Sequence, residues 1–261
     1  MSHGSKPLKP DPRYKRFTKH YGAPVLPSFP KTLNTPRKRV KNQGSAPSCT
    51  KQTTELAAEY QDGIEMSAEW AWDRLCGQLG NLHLDGADPQ QAMSLNVKLG
   101  SMPATDPDGP EKYRKAAYVR IPHVADHFDS IRTALLRGLS HNQVVMAFGQ
   151  WYGEWATKFI PFTYSYFTGW HAYTFIDFDT IDGKEYLIAQ NSYGESYGFH
   201  GLHYFPREVV NREFSKWYTG LFVFVDLTPE QIANAKKLTP AGKLQKAIID
   251  AWWALTSIFG V

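Results

Sequence analysis

The chain contains no run of about 18 or more apolar residues, the length a helix needs to cross a bilayer. Its N-terminus is polar and basic and lacks the apolar stretch of a secretory signal. No transmembrane segment and no signal peptide are therefore expected, which points to a cytoplasmic protein. Cysteine is scarce: Cys49 and Cys76 are too few for a disulfide framework and fit a reducing compartment. The histidines His123, His127, His141, His200 and His203 show no metal-ligand spacing with cysteine or carboxylate, so no metal or other cofactor is expected. Acid is nearly missing from residues 1–41, where Asp11 stands against eleven Lys/Arg. The net charge of +4 thus hides a basic arm ahead of a mildly acidic body. Such an arm suits an acidic partner or nucleic acid, or it docks on its own body.

What is present indicates a globular protein. With 261 residues, 42% hydrophobic and 14% aromatic, the chain can bury a sizeable core. Prolines 7, 10, 12, 24, 27 and 30 make the start an extended arm. From Cys49 the proline stops, and Leu56, Ala57, Tyr60 and Ile64 recur at helical spacing. Ser48 is placed to cap that helix, which puts Cys49 in its first turn, where the macrodipole favours a thiolate. Ser67 caps a second helix running to about Cys76, and Asp88-Pro89 opens a third. Residues 100–112 read as a loop, and Asp126 to Gly138 as a helix closed by glycine.

After His141 the pattern turns to strands. Val144 to Phe148 is a short buried run. Trp170 to Phe178 and Lys184 to Gln190 read as strands joined at Asp182-Gly183, and Leu221 to Val225 as another. Alternation along the first of these aims Asp177 and Asp179 outward. Trp151, Trp155, Phe162, Tyr164, Tyr166 and Phe167 form an aromatic-rich loop, either lobe packing or a cleft wall. Helices first and an antiparallel sheet afterwards give an α+β fold of two lobes. Residues 228–261 form a helical tail whose apolar end, with Trp252 and Trp253, packs on the body or docks on a partner protein.

Thiolate acyl transfer needs a nucleophile, a base, an orienting group and oxyanion donors. Cys49, His171, Asn191 and Gln43 supply one candidate each. His171 would be base and then acid, Asn191 would accept from its imidazole, and the Gln43 amide would join the Cys49 N–H as the oxyanion hole. Each residue alone is weak evidence, but their chain order and contexts agree.

These segments resemble the papain-like (C1) cysteine peptidases. Lys41-Asn42-Gln43-Gly44-Ser45 and then Ser48-Cys49 is similar to the segment around that family's oxyanion glutamine and nucleophile, with the same six-residue spacing. Trp170-His171-Ala172 resembles its histidine strand, and Asn191-Ser192-Tyr193-Gly194 its Asn-Ser-Trp-Gly motif. Glu65-Met66-Ser67-Ala68-Glu69 resembles the helix start that follows the nucleophile helix. His171 and Asn191 lie 122 and 142 residues after Cys49, close to the family's separations. The resemblance covers about residues 25–226. It implies a papain-like two-lobe fold, a helical left lobe facing an antiparallel β-barrel right lobe, and hydrolysis of a peptide or protein substrate through a thioester. The implied division is an arm at 1–24, a peptidase domain at 25–227 and a tail at 228–261.

The chain departs from the family where Ala46 replaces a disulfide cysteine, Thr50 an aromatic, and Tyr193 and Tyr197 the usual tryptophans. This suits a divergent microbial or phage type. No glycine pair on the left cleft wall stands out, though Gly77 and Gly80 are candidates. Two other readings share these residues. One is the same domain as a structural or docking component of an assembly such as a virion, with or without peptidase or cell-wall amidase activity. The other is a transamidase using the same thioester.

Overall fold

A computed structural model describes residues 5–8, 29–80, 85–105, 109–121, 126–137 and 142–225. The expected C-terminal tail, Gly138 and most of the N-terminal arm lie outside these. Five α-helices occur among the described residues: α1 Cys49–Asp62, α2 Ala68–Gln78, α3 Pro89–Lys98, α4 His127–Arg137 and α5 Arg207–Phe214. Six strands form one antiparallel sheet: β1 Ala117–Arg120, β2 Val145–Tyr152, β3 Phe167–Ile181, β4 Lys184–Gln190, β5 Leu202–Pro206 and β6 Gly220–Val225, in the order β1-β6-β2-β3-β4-β5. The architecture is α+β, with α1 to α3 as the helical lobe and the sheet with α4 and α5 as the other.

Strand alternation divides the core. Val144, Met146, Phe148, Ala172, Ile176, Phe222 and Phe224 turn to α1, meeting Leu56, Ala57 and Tyr60. Val145, Ala147, Tyr173, Phe175, Leu221 and Val223 turn the other way, onto Phe128, Ile131 and Leu135 of α4 and Val209, Val210 and Phe214 of α5. Each such side chain contributes about 1.5–3 kcal/mol by leaving water. A sheet loaded on both faces is therefore a stiff base for β3, which carries His171.

Local chemistry sets the element ends. Ser67 accepts from Trp70 N and Asp88 from Gln90 N, capping α2 and α3 as expected. Ser48 stands at the cap of α1 but makes no side-chain cap bond, and its Oγ takes Gln52 Nε2 at 3.3 Å instead. The β3–β4 turn needs left-handed backbone at Asp182 (φ 51°) and Gly183 (φ 74°), as its Asp-Gly pair implies. Within the expected loop at 100–112, a single 3-10 turn forms over Pro110–Tyr113 at its end.

Two expectations fail on local geometry. Trp151 does not sit in a loop: it lies within β2, one residue before its end, and is buried in the aromatic core, and Trp155 follows in a 3-10 turn. Asp177 does not point outward. The β3–β4 register shifts between Phe175 and Asp177, which breaks the alternation. Its carboxylate is buried and accepts the backbone N–H groups of Leu33 (2.9 Å) and Thr35 (3.0 Å), pinning the segment that leads to Gln43.

Candidate active site

Cys49 opens α1, where the backbone N–H groups at the helix start have no intrahelical acceptor. It is fully buried, as is Lys51 in the same turn. Lys51 Nζ pairs with Glu55 at 2.8 Å and donates to Asn96 Oδ1 at 2.7 Å, tying α1 to α3. Burial lowers the Lys51 pKa while the Glu55 charge beside it raises it. This buried network fixes the helix that presents the thiol.

Gln43 reaches α1 through a short ladder. Asn42 bridges Tyr193 in antiparallel fashion, Gln43 N donates to Ser192 O (2.8 Å) and Gly194 N to Lys41 O (3.0 Å). Gly194 has φ 84°, and an added Cβ would meet Asn42 Nδ2 at 3.3 Å. The amide of Gln43 is held at both ends: Ser192 Oγ donates to Oε1 at 2.7 Å, and Nε2 gives one of its two hydrogens to Ala46 O at 3.0 Å. The turn ahead is clamped to β4, because Gln190 Nε2 donates to Lys38 O and Arg39 O while Tyr60 OH donates to Gln190 Oε1. Burial pushes the Tyr60 hydroxyl up to about 12, so it stays a donor.

His171 is buried on β3 opposite Gly149 of β2. The ring of Tyr193 lies over its imidazole, with centroids 4.4 Å apart and 9° between planes. Tyr193 OH comes within 3.1 Å of Nδ1. With the rings so nearly parallel, the hydroxyl meets the nitrogen from the ring face and so orients the imidazole more than it engages the in-plane lone pair. Trp151 stands edge-on to His171 at 4.8 Å. The Tyr193 hydroxyl is raised far above its ordinary pKa, first by burial and then by the negative charge of Cys49. Tyr193 thus contacts the imidazole directly and feels Cys49 electrostatically.

Asn191 follows β4, as expected, but its hydrogen bonds go elsewhere than to His171. Nδ2 meets His203 Nε2 at 2.6 Å, and Oδ1 accepts the Tyr193 backbone N–H at 2.7 Å. With its oxygen taken by the Tyr193 N–H, Asn191 reaches the imidazole only through the Tyr193 ring that lies on it. Tyr193 and His203 are the residues that sequence reasoning passed over. The tyrosine was visible only as a replaced tryptophan, and the histidine only as one of five without metal-ligand spacing.

Part of the arm lies across this site. Ser5 N donates to Trp170 O (3.4 Å), Lys6 N to Ala87 O (3.1 Å) and Leu8 N to Tyr218 O (3.1 Å). Trp170 precedes His171, and Thr50 Oγ1 donates to the same Ala87 carbonyl at 3.5 Å. The segment thus bridges the helical lobe to the histidine strand, at Ala87 and not at Gly77 or Gly80. Leu8 is buried in one cluster with Cys49, Ala172, Met146 and Phe222. A Cβ on Gly220 would stand 2.2 Å from Leu8 Cδ1, so that glycine makes the leucine's seat.

Comparison with solved structures agrees with this architecture. Xylellain, a cysteine protease from Xylella fastidiosa, superposes with a TM-score of 0.68 at 20% identity, covering 87% of this chain and 97% of its own. The chain has the papain-like fold. The bromelain protease of Ananas comosus matches at TM-score 0.58 and 18% identity, over 76% of this chain and all of its own. Digestive procathepsin L 3 of Tenebrio molitor matches at 0.57 and 16%, over 86% of this chain and 76% of its own. No protein-family model matches the chain, and no curated protein does. Ser5–Leu8 is held between Ala87, just before α3, and Trp170 and Tyr218 on the sheet side.

Proposed function

We propose that the chain is a cysteine peptidase that cleaves peptide bonds through a thioester on Cys49. The observation that carries this reading is Tyr193, which lies flat on His171 with its hydroxyl 3.1 Å from Nδ1 and is close enough to Cys49, at the start of α1, for that residue to help raise the hydroxyl's pKa. A buried thiolate at a helix start beside an imidazole is a nucleophile with its proton carrier. The Cys49 sulfur adds to the scissile carbonyl carbon, and the oxyanion is met by the Cys49 N–H and the Gln43 amide. His171 gives its proton to the leaving amine as the C–N bond breaks, leaving a thioester. It then takes a proton from water, whose oxygen displaces the sulfur and releases the acid. Asn191 supports the imidazole through Tyr193.

The held segment Ser5–Leu8 supports a peptide as substrate: backbone groups on both walls bind an extended chain, and an apolar pocket takes an aliphatic side chain. The docking alternative rests on the arm and the tail. The tail lies outside the described residues, and the described part of the arm occupies the cleft. The test is hydrolysis of a peptide library by the full chain and by Cys49→Ala. The variant should lose at least about a thousandfold. A wild type that cleaves nothing, or a variant that cleaves equally, contradicts the reading. Product analysis with an added amine separates hydrolysis from transamidation.

A further inference from the structure

His203 lies outside the nucleophile and imidazole pair, yet it is fully buried on β5 and both ring nitrogens are engaged. Nδ1 is 2.9 Å from Thr157 O, a group that can only accept, so Nδ1 carries the hydrogen. Nε2 is then a lone pair, and Asn191 Nδ2 donates to it at 2.6 Å. This decides which way the Asn191 amide faces. Its NH2 end goes to His203, so its oxygen goes to the Tyr193 N–H. Tyr193 in turn lies flat on His171.

The pocket is shaped for this imidazole. Gly198 has φ 67°, and a Cβ there would stand 2.4 Å from His203 Cε1 and 2.8 Å from Nε2. Trp151 stands edge-on to His203 at 5.3 Å and to His171 at 4.8 Å, filling the space between the two rings. The titratable neighbour is Tyr197, 5.5 Å away between ring centroids. Burial raises that hydroxyl, so it adds no charge.

We propose that His203 is a positioning residue for the reaction at Cys49: its Nε2 lone pair sets the rotation of the Asn191 amide, which holds Tyr193 against the His171 imidazole. The proposal deepens the peptidase reading and depends on it for its activity readout. Any apolar residue could fill the volume, but only an acceptor at the Nε2 position fixes the amide.

The tests use the full chain. A long-range proton–nitrogen spectrum of the wild-type imidazoles at neutral pH should show His203 as the Nδ1–H tautomer. An Nε2–H tautomer overturns the proposal, since it cannot accept from Asn191. In kinetics, His203→Leu should lower kcat for a peptide about tenfold with KM held within about twofold. It should also shift the acid limb of the pH profile for Cys49 alkylation by at least about half a pH unit. His203→Gln, whose Oε1 can take the place of Nε2, should restore kcat to within about threefold. A folded His203→Leu with wild-type kcat and pH profile overturns the proposal, as does a Gln variant no better than Leu. If the wild type cleaves no peptide, the alkylation profiles still compare His203→Leu with wild type, so the two readings fail separately. If the leucine variant does not fold, the tautomer decides.

Discussion

Tyr193 covers His171 as a parallel ring, 4.4 Å between centroids, and touches its Nδ1 through the phenol oxygen at 3.1 Å. The stack supplies most of the orientation and the oxygen contact less. Tyr193→Phe should therefore keep peptide hydrolysis within about threefold of wild type. Tyr193→Ala should lose about tenfold, the kinetic equivalent of an aromatic pair worth about 0.5–1.5 kcal/mol. Steady-state kinetics of the two variants check the order, and an alanine variant as active as the phenylalanine one contradicts it.

Cys49 is fully buried, and Leu8 belongs to the cluster that surrounds it. On the proposed peptidase reading, substrate displaces Ser5–Leu8 from Trp170 and Ala87. Deleting residues 1–8, or Leu8→Asp, should raise the rate of Cys49 alkylation at least about tenfold, because the buried leucine alone is worth about 1.5–3 kcal/mol. An unchanged rate would show that the segment does not limit access.

Burial puts the His203 imidazole at about 4 in the fold, against about 6.5 in an unfolded chain. Between those values the unfolded chain binds the proton and the native protein does not, so stability falls as pH falls. The contribution is complete above about pH 6.5 and is lost by about pH 4, some 3 kcal/mol in all. Urea unfolding across this window should be steeper in pH for wild type than for His203→Gln. Equal slopes would contradict the burial account.

Lys51 and Glu55 form a fully buried i,i+4 pair at 2.8 Å within α1, and Lys51 also donates to Asn96 of α3. Lys51→Met leaves the carboxylate unpaired and should cost about 3–5 kcal/mol, read from denaturant midpoints. Adding Glu55→Met should recover part of that loss. If the single variant is as stable as wild type, the pair does not anchor α1.

Much of this was legible in the chain. The Cys49 helix start, the His171 strand, the Asp182-Gly183 turn and the Asn191 segment all carry local signals: a proline-free helical period, alternation, a turn dipeptide and a glycine-rich run. The papain-like resemblance rests on the Gln43-to-Cys49 segment, Trp170-His171-Ala172 and Asn191-Ser192-Tyr193-Gly194. The short elements were not legible. β5, Leu202–Pro206, and α5, Arg207–Phe214, are too brief to show a period, and the charges of α5 mask its three core residues Val209, Val210 and Phe214. The Asp177 error came from the register shift before it, which no alternation rule anticipates. The partners of Asn191 depend on how a hydrogen-bond chain closes in space, so an Asn–His contact expected from chain order proved to be Asn191–His203 and not Asn191–His171.

The central claim is that Cys49 and His171 act as one thiolate and imidazolium unit, and the rate of Cys49 alkylation by iodoacetamide against pH tests it most directly. Measured on protein lacking residues 1–8, with Cys76 as the internal control thiol, the Cys49 rate should hold a plateau down to about pH 5. His171→Gln should remove that plateau. A rate that falls tenfold per pH unit below about 8.5, like an ordinary thiol, and is unchanged in His171→Gln, would contradict the account.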